Sequence, residues 1–159
     1  QLKKLEKLVS SRQKAANFFT KNLDALSGII TPTIFKNNSH AYYTYPMILD
    51  IEELKVSREV ITKALIAEGL TGLVNGYQNI HLLPMYQEKK CYGSKGFPWT
   101  SDICKRDVNY KKGICPIAEN LHDKTFLNYF MCTHQLNEKD SELIVECFNK
   151  VWRNLDKLR

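Results

Sequence analysis

"AYYTYPMILDI", residues 41–51, is the run on which the fold turns. Its side chains alternate, with Tyr43, Tyr45, Met47 and Leu49 on one face and Tyr42, Thr44 and Ile48 on the other. A period of two built from aromatic and β-branched residues marks a strand. Both faces are apolar enough to require cover. Pro46 brings no N–H to a ladder, which predicts a sheet edge or a bulge at that position.

Upstream, "IITPTIFKNNSH" (29–40) is a connection with turn chemistry at Asn37 and Asn38. Before it, Leu2, Leu5, Val9, Ala16, Phe19, Leu23 and Leu26 recur at helical spacing. They predict a helix from the start of the chain to about Leu26, stopped before Gly28. Arg12 interrupts that seam and reads as an edge arginine whose stem packs while its head reaches acceptors. A helix already in register at Gln1 leads to the expectation of a missing upstream region.

Downstream, "KVSREVITKALIAEGL" (55–70) is a second helix with Ser57 as N-cap and Gly69 as its stop. Val60, Ile61, Ala64 and Leu65 form its expected buried stripe. "TGLV" (71–74) is a short strand candidate. Residues 75–116 then run with no period, and loops of that length in a compact domain are usually functional. "PIAENLHDKTF" (116–126) is a short helix opened by Pro116, and "LNYFMCTH" (127–134) a strand. The last helix starts at an Asn137 cap, with Leu143, Ile144, Cys147, Phe148, Val151, Trp152 and Leu155 as its apolar stripe. Helix, strand, helix, loop, short helix, strand, helix makes an α+β domain: a small, mostly antiparallel sheet covered by helices. The whole length, 1–159, reads as one domain.

Composition excludes several classes. No apolar run approaches the ~18 residues of a membrane span. The net charge of +6 comes from lysines scattered over the chain rather than a basic stripe, so nucleic acid is not the expected partner. Cys91, Cys104, Cys115, Cys132 and Cys147 include no close pair of the kind zinc sites use; they read as reduced thiols of a cytoplasmic protein. There is no glycine-rich phosphate loop, no serine nucleophile elbow and no evident carboxylate pair. The residues alone lead to a basic α+β domain with an aromatic, histidine-bearing loop.

Six segments in order go further: "SSRQKAANFFTKNL" (10–23), "SHAYYTYPMILD" (39–50), "SREVITKALIAEGL" (57–70), "GYQNIHLLPMY" (76–86), "CPIAENLHDKTFL" (115–127) and "THQLNEKDSELIVECFNKVW" (133–152). The set resembles the carboxy-terminal part of the DegT/DnrJ/EryC1/StrS aminotransferases. The resemblance implies the small domain of a dimeric fold-type-I enzyme. It also implies pyridoxal 5′-phosphate as the electron sink, and transfer of an amino group from glutamate or glutamine to a keto sugar or cyclitol, often nucleotide-linked. It implies that the Schiff-base lysine lies upstream. No lysine here has the family's Ser-x-x-x-Lys context followed by glycines; Lys14 follows Ser10 by four but sits mid-helix. The fragment alone is then expected to be inactive and to bind no cofactor.

Carried over residue by residue, the resemblance implies His81 as the substrate-facing side chain, with Tyr86 beside it and Tyr77 a further candidate. An imidazole or phenol there suits a sugar hydroxyl, a keto oxygen or a diphosphate. A role for His81 in ordering its own loop competes with that one. Glu119 and Arg12 also fit motif positions, where an ion pair or a cap serves equally. Two departures stand out: "FMCTH" in place of Leu-Pro, and a long aromatic insertion, "YGSKGFPWTSDICKRDVNYKKGIC" (92–115). Phe97, Trp99 and Tyr110 within it suit packing in an interface or core, or stacking on a ligand. The rival readings are a non-catalytic regulatory or dimerisation domain of the same fold and a basic nucleic-acid-binding module.

Overall fold

A computed structural model describes residues 2–133 and 135–159 of the chain. In order, the elements are α1 (Leu2–Leu23), β1 (Ile29–Ile30), β2 (Thr44–Leu49), α2 (Ile51–Leu54), α3 (Arg58–Ala67), β3 (Leu73–Val74), α4 (Pro84–Gln87), α5 (Pro116–Asn120), β4 (Phe126–Phe130) and α6 (Glu138–Trp152). The chain forms two compact units, residues 1–76 with 124–159, and residues 77–123.

The larger unit is the α+β body. Its sheet runs β1-β2-β4-β3, every pair antiparallel. Tyr45, Met47 and Leu49 of β2, Leu127 and Tyr129 of β4 and Ile29 of β1 are buried on one face. Helix α1 delivers Phe19 edge-on to Tyr45 and Tyr129, with centroids 5.4 and 6.0 Å away. Helix α6 packs on both α1 and α3 and adds Ile144, Phe148 and Val151 to the same core. A side chain as fully buried as Phe19 contributes roughly 1.5–3 kcal/mol relative to exposure.

Pro46 finds its reason in the register. The Met131 amide donates to the Tyr43 carbonyl at 3.2 Å, so odd-numbered residues of β2 bond toward β4. Even-numbered positions therefore face β1, which pairs only with Leu49 and Ile48. At position 46 that side is open, and the missing N–H costs nothing. β2 is interior in strand order yet an edge where its proline sits.

The caps follow the sequence closely. The Ser57 hydroxyl accepts the Val60 amide, and Asn137 forms a reciprocal capping box with Asp140. Helix α1 ends at Leu23, three residues before the expected Leu26, and Gly28 then takes φ +71°. β4 starts one residue earlier than the expected strand, after a π-helical turn over Leu121–Thr125, and Met131 already begins a turn. His134, the end of that expected strand, lies outside the described residues.

Three expected faces are corrected. Leu143 is 57% exposed, and Val145 and Ser141 are buried in its place, because α6 is gripped between two helices rather than by one flat face. Val60 is exposed whereas Arg58 and Thr62 of the same helix are buried. Tyr42 and Tyr43 exchange sides: Tyr42 takes φ +49° and turns inward to stack on Tyr45, leaving Tyr43 half exposed. Leu2 and Leu5 at the start of α1 are also exposed.

Candidate substrate-facing site

The unit of residues 77–123 is built from short turns tied by side chains. Ile80–Leu82 form one turn of 3-10 helix, and Pro84 opens α4 at a position where no amide is needed. Pro116 opens α5 in the same way. Elements this short do not persist on backbone hydrogen bonds alone. The ties are supplied by Glu119 and Gln87.

Glu119, only 6% exposed, receives the Gly113 amide at 2.8 Å on both carboxylate oxygens and the Cys115 amide at 3.2 Å on Oε1. His81 Nε2 lies 2.9 Å from the same Oε1. Burial pushes the Glu119 carboxyl up, but the two amides and the imidazole outweigh it and hold it below the usual range. An ionised carboxylate only accepts, so His81 Nε2 carries the proton. In the neutral ring this leaves Nδ1 as a bare acceptor.

Gln87 donates its side-chain amide to the His81 carbonyl at 2.7 Å and to the Tyr110 carbonyl at 2.6 Å. Tyr86, next to it, packs against Tyr110 and Trp99 with centroids 5.2 and 6.1 Å away, and Trp99 Nε1 donates to the Tyr110 hydroxyl at 3.0 Å. Tyr86, Trp99 and Tyr110 thus form a half-buried aromatic cluster within the small unit. Phe97 stays apart, 44% exposed beside Tyr92.

The expected site residues separate accordingly. His81 and Tyr86 are brought to one loop and joined through Gln87. Tyr77 is 79% exposed. A groove of about 320 Å³ runs along Tyr86, Gln87, Asn109 and Lys111, and another of about 390 Å³ is lined by Lys89, Trp99, Lys105 and Arg106. The Lys89 ammonium, paired to Asp107 at 2.6 Å, lines both. Gln87 and the Lys89–Asp107 pair escaped the sequence reading, since nothing in sequence announces partners 18 or 23 residues away in an irregular loop.

Helices on a small antiparallel sheet, with a tied histidine-bearing loop, define an α+β domain of the kind found in fold-type-I aminotransferases. The chain belongs to the DegT/DnrJ/EryC1/StrS aminotransferase family, whose profile matches residues 1–129. An uncharacterized protein of Methanocaldococcus jannaschii is 30% identical over 109 residues, covering 69% of this chain and 28% of that protein. The spore coat polysaccharide biosynthesis protein SpsC of Bacillus subtilis is 27% identical over 109 residues, with the same coverages of 69% and 28%. Among solved structures, the aminotransferase TlmJ of Streptoalloteichus hindustanus superposes at TM-score 0.68 with 21% identity, over 98% of this chain and 35% of its own. DesV of S. venezuelae, solved with a ketimine intermediate, does so at 0.69 with 16% identity, over 95% of this chain and 33% of its own. The identities are low enough that these two structures speak for the fold. The chain matches little more than a quarter of the length of its curated relatives.

The family works with pyridoxal 5′-phosphate. A lysine that holds this cofactor reacts as a neutral amine, so it needs burial or a neighbouring cation to lower its pKa. No lysine of this chain is buried. Lys89, Lys112 and Lys150 are moved the opposite way, upward, by hydrogen bonds to Asp107, Asp123 and Glu68. The residues present do not fit the cofactor's anchor.

Among the described residues no helix is long and apolar enough to cross a membrane, and all five cysteines are free thiols.

Proposed function

We propose that this chain is the small domain of an aminotransferase that carries an amino group from glutamate or glutamine to the keto group of a sugar or cyclitol, in the cytoplasm and as a homodimer. The observation that carries the reading is the family match over residues 1–129, together with a fold shared over nearly the whole chain. SpsC, a relative concerned with polysaccharide synthesis, supports a sugar as acceptor. The lysine and the cofactor belong to protein outside these 159 residues, and the domain shapes one wall of the substrate pocket.

His81 is the proposed contact to substrate, through Nδ1, with Tyr86 close to it and Tyr77 a further candidate. Glu119 is a positioning residue: by taking the proton of Nε2 it leaves Nδ1 free to accept from a sugar hydroxyl. The groove with Lys89, Lys105, Arg106 and Trp99 supports a nucleotide carrier, since cations suit a diphosphate and an indole suits a base.

The test is a reductive trap. The chain is incubated with pyridoxal 5′-phosphate and borohydride, and its intact mass and labelled peptides are read. Scattered, non-saturating labelling is expected, while one stoichiometric label on a single lysine overturns the small-domain reading. The protein encoded by the uninterrupted reading frame should then aminate a nucleotide-linked keto sugar with glutamate. A frame lacking an α/β region with the Ser-x-x-x-Lys context favours a regulatory or dimerisation role.

A further inference from the structure

On the larger unit, a cleft of about 490 Å³ opens between the C-terminal half of α1 and the segment 29–34. We propose that it binds a polyhydroxylated ring of monosaccharide size that carries no anionic group. The proposal stands on the cleft's own chemistry and does not depend on the aminotransferase reading.

Tyr42 points to it first. Its side chain lines the cleft, yet the residue is only 3% exposed. Its backbone takes φ +49°, a conformation that residues other than glycine seldom keep unless the surroundings impose it. His40 imposes it: Nδ1 accepts the Tyr42 amide at 2.9 Å, and the imidazole lies 4.3 Å from the phenol ring. Tyr45 stacks on Tyr42 at 6.2 Å. The ring is held by its neighbours and the hydroxyl has no hydrogen-bond partner among the described residues. Buried phenols normally find one.

The rest of the lining selects the ligand. Asn17 and Thr33 offer side chains that make no hydrogen bond among the described residues. Asp24 accepts from the Thr31 hydroxyl on Oδ1, which leaves Oδ2 for a ligand. Ile30 and Ile34, both well exposed, give an apolar wall suited to the C–H face of a sugar ring. No lysine or arginine lines the cleft, so a phosphate or sulfate would meet a carboxylate without a counter-charge. A hydroxyl-rich ring, neutral or bearing an ammonium, satisfies every one of these groups.

Saturation-transfer NMR on the 159-residue chain with glucose, glucosamine and glucose 6-phosphate tests this. Transfer to the first two and none to the phosphate is expected. Tyr42→Phe should weaken glucose binding by roughly three- to tenfold, the effect of one neutral hydrogen bond. Asp24→Asn should weaken glucosamine and spare glucose. Should Tyr42→Phe fail to fold, Asn17→Ala on the exposed face of α1 carries the test, with a loss of about threefold expected. No transfer to any probe, a preference for the phosphate, or equal transfer that Asn17→Ala leaves unchanged each overturns the proposal.

Discussion

His81 Nε2 and Glu119 Oε1 stand 2.9 Å apart across 38 residues of sequence, and the same carboxylate holds the Gly113 and Cys115 amides. One side chain therefore ties the turn before α4 to the turn before α5, with α4 and the long aromatic stretch that follows it between them. Because its pKa is depressed in the folded chain, Glu119 contributes stability that is fully present above the ordinary carboxylate value. That contribution fades as pH falls through the lower, folded value. The Gly113 amide proton shift should titrate with a midpoint below about 4.3, the reference for a free glutamate. In Glu119→Gln that titration should vanish, and hydrogen exchange at Gly113 and Cys115 should quicken by an order of magnitude or more. An unchanged Gly113 profile in the variant would remove Glu119 from this role.

Tyr45, fully buried, shares a 2.7 Å hydrogen bond with Thr20, and burial pushes its phenol up to about 12. A raised pKa means stabilisation that is complete below the unfolded value near 10 and is lost as pH rises from there through 12. Burial raises Tyr42 and Tyr129 as well, so ultraviolet titration should show a group of late-ionising tyrosines. Tyr45→Phe should cost about 1 kcal/mol in urea melts at neutral pH and take one tyrosine out of that late group.

Phe19 and Leu143 are both apolar members of helical stripes, yet one is 1% and the other 57% exposed. Phe19→Ala should cost about 3–5 kcal/mol, because it opens a cavity between Tyr45 and Tyr129. Leu143→Ala should stay within about 0.5 kcal/mol. Comparable losses by chemical denaturation would mean the α6 face is wrongly assigned.

Gly28 and Gly93 test the backbone. Both have positive φ, +71° and +66°. An added Cβ at Gly28 would sit 2.6 Å from Leu54 Cγ, whereas at Gly93 it would meet nothing within 4 Å. Gly93→Ala should cost about 1 kcal/mol, the conformational penalty alone. Gly28→Ala should cost clearly more, since buried Leu54 must also move. Thermal melts of the two variants should separate by several degrees.

Much of the body was legible because its signals are local. Ser57 and Asn137 each bond an amide three residues ahead, so these caps read correctly from sequence. The alternation of Tyr45, Met47 and Leu49 is likewise a property of one strand. The errors arise where two elements compete. Val145 displaces Leu143 because α1 and α3 both press on α6. Tyr42 reverses its side because His40 captures its amide.

The candidate site was legible only in its members. His81, Tyr86 and Glu119 were each noticed through family spacing, but Gln87's two carbonyls and the shared carboxylate of Glu119 were not.

By itself the sequence determined the long helices α1, α3 and α6, the main strands, the caps of α3 and α6 and the family, since periodicity, cap chemistry and ordered motifs act over a few residues, whereas β1, α2 and α4 are too short to carry a period. Tertiary structure alone decided which face of α6 is dry, why Pro46 is harmless, and which nitrogen of His81 is left open. Those outcomes depend on groups brought together from distant parts of the chain, where burial and an ionised partner change what each side chain can do.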